Sequence, residues 1–449
     1  MAYTQAGRPI GARCAGRATS RGARYLAVPL VAGSLVAALA GTSSATARPA
    51  AGSGPINVGV IAPFTGPAAE FGTAISAPCY AATLVINKAG GVLGHKLNCD
   101  PINDTGDPAD AVPNVERAIG TTSNLDEIVG EESNTAATVI PLVERAKIPM
   151  VSTNGLVAYD SNGNPYFYRM SPSDNQNGAA YSYDASVQKF KRIAIIFQND
   201  IGATGNLEGA LQAAKNLHLD IVQNLTIPGE ETSYASVIER VIASNPQAIM
   251  FYADTQTSAT FMSEYFQLAN GNVPPTITAG GQLTADFYTG MSKAVPTSYL
   301  LHKVFMVGQL LSKVGDAFKT YAGAVESAPQ IKSPQLVLGE GVTSTLYDGI
   351  NLMSLAMIEA KSTTGSVYNK YIVKIASPSK GAVVVHNFTQ GLRALKAGKT
   401  IQYVGVGGAI HFNKYHNYVG SWGVFQFLSG GTSTTSAVLP GSKVLSLIH

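Results

Sequence analysis

Two polar loops of this chain combine residue types that could hold a small ligand. Glu131-Glu132-Ser133-Asn134-Thr135 follows Gly130, the last residue of a predicted strand, and leads into a predicted helix that begins at Ala136. Ser152-Thr153-Asn154-Gly155 lies at the end of the next predicted strand. Free backbone N–H groups at a helix start, beside hydroxyl and amide side chains, suit a small polar or anionic group. The alternative is that Ser133, Asn134 or Thr135 only caps the helix, and the two roles are compatible.

Other candidates for chemistry are weak. His411 and His416 are five residues apart without a nearby acid, which is not a metal-ligand spacing. Asp107 precedes Pro108, a pattern typical of a helix start, so Asp104 and Asp107 favour a structural role over acid–base catalysis or calcium binding. The sequence has no Gly-x-Ser-x-Gly, no His-Glu-x-x-His and no glycine-rich phosphate loop. We therefore predict no catalytic residue, no metal and no cofactor.

Composition and charge indicate a folded protein that does not bind nucleic acid. The chain has 449 residues, of which 45% are hydrophobic and 13% charged, enough for two or three domains. Residues 1–47 contain five arginines and no acid, so the formal net charge of +3 becomes −2 for the remainder. A weakly acidic body has no electrostatic basis for binding nucleic acid.

The start of the chain has the pattern of an export signal. The apolar run 25–41 follows the arginines and precedes the small-x-small sequence Ala45-Thr46-Ala47. A membrane anchor is the competing interpretation, but the run has about 17 residues and contains Pro29, whereas a spanning helix needs about 20. We predict a signal peptide at 1–47 and a flexible linker at 48–54. Thr42 lies where a lipoprotein signal has its cysteine, so we expect a soluble periplasmic or extracellular protein without a lipid anchor.

Two cysteines remain after removal of the signal, which takes Cys14 with it. A helix from Pro78 to Lys88 climbs about 15 Å, and a strand from His95 returns about 16 Å, which brings Cys99 to the height of Cys79. An even pair in an oxidising compartment favours a disulfide between Cys79 and Cys99. The alternative is two ordinary buried thiols.

Short apolar runs alternate with helix-length segments from residue 56 onward, which is typical of parallel strands joined by crossover helices. The predicted strands are 56–63, 96–102, 127–130, 150–152, 192–198, 220–225, 248–253 and 276–279. The predicted helices between them are 110–119, 136–146, 205–216, 234–243 and 257–269. Beyond Ala294 the order changes to helices at 313–322 and 344–360 and a β-like tail at 404–412 and 421–428. The pattern predicts an α/β protein of two doubly wound lobes with several chain crossings, and a flexible stretch at 429–436.

Several motifs together resemble the type I periplasmic binding proteins of ABC importers, in the group of the leucine/isoleucine/valine-binding protein. The resemblance covers about residues 55–430. It implies two Rossmann-like lobes joined by three hinge crossings, with residues 55–172 and 306–406 in lobe 1 and residues 173–305 and 407–449 in lobe 2. The motifs are Ile56-Asn57-Val58-Gly59-Val60, Pro63-Phe64-Thr65-Gly66-Pro67, Ile86-Asn87-Lys88-Ala89-Gly90-Gly91-Val92, Asp104-Thr105-Gly106-Asp107-Pro108, Asn199-Asp200-Ile201-Gly202, Tyr347-Asp348-Gly349-Ile350-Asn351-Leu352 and Gly405-Val406-Gly407-Gly408-Ala409-Ile410-His411-Phe412.

The resemblance also implies which residues contact the ligand. The first lobe would hold a ligand carboxylate through two matching loops, Ser133-Asn134-Thr135 and Asn154-Gly155-Leu156, with the ring of Phe71 lining the cleft. The second lobe would contribute Ile201, Thr255 and Gln256. Gly281 or Gln282 falls where amino-acid binders keep an acid for the ligand's ammonium group, and that acid is missing here. Leu156 replaces a usual hydroxyl residue and Ile201 an aromatic one.

These departures set the expected ligand and function. A buried ammonium without a carboxylate partner is costly, so the match argues against an ordinary α-amino acid. We expect a small organic molecule with a polar or carboxylate head and an apolar body. Glu132 has two possible roles, since it could accept a cation in the cleft or lie in solvent at the helix N-terminus.

The resemblance predicts a monomeric solute-binding protein that serves the permease of an ABC importer. A receptor-type sensor, or a secreted hydrolase on a similar fold, is the alternative.

Overall fold

The computed structural model describes residues 54–66, 68–161, 163–310, 315–338, 341–418 and 420–448. The predicted signal peptide at 1–47 and the linker up to residue 53 lie outside these residues. No helix in the described ranges is long and apolar enough to cross a membrane.

The first segment builds a parallel five-stranded sheet. Its strand order is β2-β1-β3-β4-β5, which is the crossover order that the alternation of strands and helices predicts. Every residue of β3 is buried because helices cover both faces of the sheet. The elements are β1 (Ile56–Ala62), α1 (Glu70–Lys88), β2 (Leu97–Asn103), α2 (Pro108–Thr121), β3 (Leu125–Gly130), α3 (Ser133–Ala146), β4 (Met150–Ser152) and β5 (Phe167–Arg169).

The second segment builds most of a second sheet, in which β7, β6, β8, β9 and β10 are parallel neighbours in that order. Alternate residues of β6 enter two different cores, Ile196 on one face and Ile195 on the other. The elements are α4 (Asp174–Val187), β6 (Arg192–Gln198), α5 (Ile201–Thr204), α6 (Leu207–Asn216), β7 (Asp220–Ile227), α7 (Ala235–Ala243), β8 (Ala248–Tyr252), α8 (Thr255–Leu268), β9 (Thr276–Ala279), α9 (Ala285–Ala294), α10 (Thr297–His302) and β10 (Val304–Gln309).

The last part of the chain completes both lobes. Helix α13 packs against α1 and α14 in the core of the first lobe, whereas β14 and β15 extend the second sheet as antiparallel strands. The elements are α11 (Gly315–Ser327), α12 (Pro334–Val337), α13 (Gly341–Ala360), α14 (Gly365–Ala376), β11 (Val383–Val385), α15 (Phe388–Lys396), β12 (Ile401–Gly405), β13 (Gly408–Ala409), β14 (Trp422–Phe427), β15 (Ser433–Leu439) and α16 (Gly441–Leu445). The predicted α/β fold with two Rossmann-like lobes is confirmed.

Strand pairing shifts the predicted lobe boundaries at two places. Strand β10 pairs with β9 and β14, so residues 306–309 belong to the second sheet and the chain crosses after Gln309. Residues 408–418 pack on the first lobe, because the Asn417 side chain donates to the Tyr159 carbonyl at 2.9 Å and Tyr418 enters the first core. The third crossing therefore falls between Tyr418 and Trp422. Part of the stretch expected to be flexible, 433–436, lies in β15, where it pairs with β14.

A buried carboxyl of α13 attaches the β12–β13 turn. Asp348 accepts hydrogen bonds from the Tyr403 hydroxyl and the Gly407 N–H, both at 2.9 Å. A Cβ at Gly405 would lie 2.1 Å from the Asp348 carboxylate, so only glycine fits there. Burial raises the pKa of Asp348 to about 6. This contact explains why Asp348 occurs together with a glycine at position 405 of the turn.

Cys79 of α1 and Cys99 of β2 are joined by a disulfide, with their Cα atoms 6.0 Å apart.

Candidate functional site

The cleft between the two lobes contains two adjoining cavities. The first encloses about 140 Å³ and the second about 120 Å³. Phe71, Glu132, Gly202 and Tyr252 line both cavities, so they form one continuous site. The carboxyl ends of β3, β4, β8, β9 and β10 meet here, which is where open parallel sheets bind ligands.

A left-handed turn after β3 directs one carboxyl into the first cavity. Gly130 has a φ of 105°, and a Cβ there would lie 2.1 Å from the Ile61 carbonyl oxygen. Glu131 follows with a φ of 49°, a strained conformation for a residue with a side chain. Its buried Oε1 accepts from the Ser152 hydroxyl at 2.7 Å and from the Asn154 amide at 2.6 Å. Burial raises the pKa of Glu131 well above its ordinary value.

Glu132 caps helix α3 from inside the cleft. Its Oε2 accepts the Asn134 N–H at 2.9 Å and so caps α3, which begins at Ser133, three residues before the predicted start. The side chain also lines both cavities instead of lying in solvent. Burial, together with the nearby Asp104 and Asp200 carboxylates, raises the pKa of Glu132 to about 8.

The next two residues join the lobes directly. The Ser133 hydroxyl donates to Asp174 of α4 at 3.4 Å. The Asn134 Oδ1 accepts the backbone N–H groups of Ile201, at 3.2 Å, and of Gly202, at 3.4 Å, at the start of α5. We call this pair of contacts the Asn134 clasp.

Thr135, by contrast, donates to Asp104 at 2.9 Å and is buried, and it lines neither cavity.

The second polar loop supports the first. Gly155 donates its N–H to the Ser133 hydroxyl at 3.1 Å and accepts the Asp174 N–H at 2.7 Å. A Cβ at Gly155 would lie 1.8 Å from the Asp174 carboxylate, so a side chain is excluded. Asn154 and Gly155 line the first cavity, whereas Leu156 packs on the core beneath α3.

Asp174 is a buried acid of the first cavity. Burial raises its pKa to about 7, against the opposing effects of Arg169 and Ser133. The guanidinium group of Arg169 forms an ion pair with Asp160 and donates to the Leu156 carbonyl, and Arg169 lines neither cavity.

On the second lobe the predicted residues are divided. Gln282 lines the second cavity and donates its amide to the Ala253 carbonyl at 2.6 Å. Ile201, Thr255 and Gln256 line neither cavity, and Ile201 is 45% exposed. Gly280 packs so tightly on Gly308 that a Cβ would lie 2.5 Å from the Gly308 Cα, and both residues line the first cavity.

Several lining residues were not predicted from the sequence. Asp200, Tyr252 and Gln309 lie at or just beyond the ends of β6, β8 and β10. The strands at β6 and β8 were predicted, so a position at a strand end could have identified Asp200 and Tyr252. Asp174, Asn177 and Tyr181 project from α4, a helix that was not predicted. Phe71, Tyr181, Val307 and Phe425 give the cleft an apolar wall beside its carboxyl groups.

Comparison with known proteins places this architecture in a family. A family model described as periplasmic binding protein matches residues 55–308, more than half of the chain. A Leu/Ile/Val-binding protein of Rhizobium johnstonii is 27% identical over 202 residues, 44% of this chain and 54% of that protein. This chain therefore matches about half the length of that relative. A Leu/Ile/Val-binding protein homolog of Brucella melitensis is 24% identical over 69% of this chain and 81% of its own length.

Solved structures share the fold. The leucine-binding protein of Thermotoga maritima superposes with a TM-score of 0.68 at 16% identity, covering 86% of this chain and 99% of that one. A solute-binding protein of an ABC transporter from R. palustris, in complex with 4-hydroxybenzoate, superposes with a TM-score of 0.68 at 16% identity. The superposition covers 88% of this chain and 99% of that one. Both are binding proteins by their descriptions. Since the family model matches more than half of the chain, this chain belongs to the periplasmic binding proteins, with the type I fold of ABC transporter binding proteins that the sequence motifs predicted.

Proposed function

We propose that this protein is the extracytoplasmic solute-binding component of an ABC importer. It closes its two lobes over a small organic ligand and presents that ligand to a membrane permease. The observation that carries the proposal is the Asn134 clasp, because it joins the lobes across a cavity that both lobes line. A ligand that touches both lobes stabilises the closed state, which a permease can recognise.

The size and lining of the cleft suit a small molecule with an apolar body. An apolar cavity of about 150 Å³ is known to hold benzene, so the first cavity, at about 140 Å³, fits a body of similar size. Phe71, Tyr181, Tyr252 and Phe425 offer aromatic contact, and the carboxyl and amide groups around them select a polar head. Relatives are named for leucine, isoleucine and valine, and solved neighbours hold isoleucine, 4-hydroxybenzoate or benzoate.

The remaining parts of the proposal come from the sequence. Residues 1–47 act as a signal peptide, and Thr42 in place of a lipid-bearing cysteine leaves the mature chain unanchored in the periplasm or outside the cell. The protein acts as a monomer, since both halves of the cleft come from one chain. It performs no catalysis, in keeping with a family of binding proteins.

A thermal-shift screen of the chain from residue 48 tests the proposal. The panel contains amino acids, aromatic and aliphatic carboxylates, amides, amines and sugars. A ligand at 100 times its dissociation constant stabilises the folded state by about 2.7 kcal/mol, which a melting curve resolves. Cells that lack the chain should fail to take up the ligand so identified, and the wild-type gene should restore uptake. A panel without any stabilising compound, or unimpaired uptake, would contradict the proposal.

A further inference from the structure

Among the described residues, the buried polar atoms of the cleft that have no partner are carboxyl and amide oxygens. The amide oxygens accept hydrogen bonds, and the carboxyl oxygens do so when the group is ionised. Within the described part of the chain, no donor reaches four cleft oxygens, namely Glu131 Oε2, Glu132 Oε1, Asn206 Oδ1 and Gln282 Oε1. Glu131, Asn206 and Gln282 are 0%, 1% and 2% exposed, so water does not solvate them from outside. Buried acceptors without a donor cost free energy, and a ligand that donates hydrogen bonds recovers that cost.

The hydrogen bonds of the two amides fix which atom of each amide has no partner. Asn206 donates its Nδ2 to the Gly202 carbonyl at 2.8 Å, and Gln282 donates its Nε2 to the Ala253 carbonyl at 2.6 Å. If either amide were flipped, its side-chain oxygen would face the carbonyl oxygen that its nitrogen now contacts. The free atom in each case is therefore the oxygen, which can only accept.

Three backbone donors of the two loops predicted to hold a ligand carboxylate are already used by the protein. The N–H of Asn134 donates to Glu132, that of Gly155 to Ser133, and that of Leu156 to the Asn154 side chain at 3.1 Å. An anionic head at these loops would have to displace three internal hydrogen bonds. A head that donates finds free acceptors without displacing any.

The charges of the cleft point the same way. Glu131, Glu132, Asp174, Asp200 and Asp254 line the two cavities, and no Lys, Arg or His among the described residues does so. Burial, with repulsion from Asp104 and Asp200, raises the pKa of Glu132 to about 8, and burial raises that of Asp174 to about 7, so a cation that entered would favour their ionised forms.

Two aromatic rings complete the site. The Cβ that a larger residue would place at Gly281 lies 3.8 Å from the Phe71 ring and 4.0 Å from the Tyr252 hydroxyl. Glycine therefore keeps open a space between the Phe71 ring and the Tyr252 hydroxyl. Aromatic rings can attract organic cations.

We propose that the polar head of the ligand is an organic ammonium group, held by Glu131, Glu132 and the amide oxygens of Asn206 and Gln282. The assignment rests on the proposed binding function and names its ligand class. The acid that the sequence lacks at Gly281 and Gln282 is replaced by acids from the other side of the cleft. The cleft can therefore hold a ligand with a cationic head and an apolar body although it lacks the acid that amino-acid binders have at Gly281 or Gln282.

The test compares two molecules that each keep one charged group of leucine. 3-Methylbutylamine retains the ammonium group, and 4-methylpentanoate retains the carboxylate. Trp422, the single tryptophan, reports binding by its fluorescence because its indole N–H donates at 2.8 Å to Asn177, which lines the first cavity. Calorimetry at pH 8.5 gives the affinities. We expect the amine to bind at least about 10-fold more tightly than the carboxylate, as one charge-assisted hydrogen bond provides.

A pair of variants ties the effect to the cleft. Glu132→Gln keeps an oxygen that caps α3 but removes the charge, and should weaken amine binding by about 10- to 100-fold. Glu239→Gln makes the same chemical change on the exposed surface of α7 and should leave binding unchanged. Melting curves of both variants verify that they are folded. If a variant does not fold, the comparison of 3-methylbutylamine with 4-methylpentanoate on the wild-type protein still tests the proposal.

The outcomes separate the ligand class from the function. Tighter binding of the carboxylate, or amine binding that Glu132→Gln leaves intact, overturns the ammonium assignment and leaves the binding function standing. The assignment is also overturned if 3-methylbutylamine, benzylamine and putrescine all fail to bind while another class of compound binds. The binding function itself is refuted only if no class of compound in the full panel binds.

Discussion

Glu132→Gln should also change how the stability of the ligand-free protein depends on pH. The pKa of Glu132 is raised to about 8 in the folded protein, against 4.5 as its ordinary value. The folded state therefore holds a proton that the unfolded chain releases, and the free energy of unfolding falls as pH rises from about 4.5 to 8. At about 1.4 kcal/mol per pKa unit, the upper bound for this loss of free energy of unfolding is about 5 kcal/mol. Structural relaxation and water penetration reduce such penalties, so we expect about 2 kcal/mol.

The variant has no ionisable group at this position, so it loses that part of the pH dependence. The glutamine oxygen can still accept the Asn134 N–H, so the cap of α3 is preserved. We expect wild type and variant to be similarly stable at pH 5 and the variant to be more stable by about 2 kcal/mol at pH 9. Urea unfolding at a series of pH values measures the difference, with Glu239→Gln as the matched control on an exposed helix.

Parallel stability curves for wild type and Glu132→Gln would refute this reasoning. A constant offset would mean that the substitution acts on packing or on the cap, and that the carboxyl is not held in its protonated form. A variant less stable at pH 9 than wild type would show that the Glu132 carboxylate is stabilised in the ligand-free cleft.

Three further predictions concern the disulfide, the closed state and the packing of Gly280 on Gly308. Reduction of the Cys79–Cys99 bond should lower the free energy of unfolding by about 2–4 kcal/mol, whereas two reactive thiols in unfolded, unreduced protein would disprove the bond. Asn134→Ala removes the acceptor of the clasp, so ligand affinity should fall by about 5- to 10-fold with little change in the ligand-free melting temperature; unaltered affinity would show that the clasp does not favour closure. Gly280→Ala forces a Cβ to within 2.5 Å of Gly308 and should lower the melting temperature, and an unchanged melting curve would contradict that packing.

Much of the fold was predictable from local patterns. The strands Arg192–Gln198 and Thr276–Ala279 have the predicted bounds because apolar and β-branched residues are bounded there by turn residues. The loops after β3 and β4 were found for the same reason, since the ends of buried strands are clear in the sequence. Helix α1 begins eight residues before its predicted start at Pro78. The prediction was wrong because proline is unfavourable inside a helix, so the sequence favoured a helix start at Pro78.

The rest of the site depends on tertiary structure. Helix α4 buries small and polar residues such as Gly178 and Ser182 where an amphipathic pattern would have apolar ones, so neither the helix nor its Asp174 and Tyr181 was predicted. Strand β10 belongs to the second sheet through pairings with the preceding strand β9 and with β14, which lies near the end of the chain. Glu131 points into the cleft because its backbone has a left-handed conformation, and the periodicity of the sequence does not predict such a conformation.

Small-angle X-ray scattering during a ligand titration tests the central claim most directly. If both lobes close over the ligand, the radius of gyration should fall as ligand is added, with the same midpoint as the change in Trp422 fluorescence. The Asn134→Ala variant should require more ligand for the same contraction. A ligand that binds with an unchanged radius of gyration would contradict the account, because binding energy would then not be converted into closure.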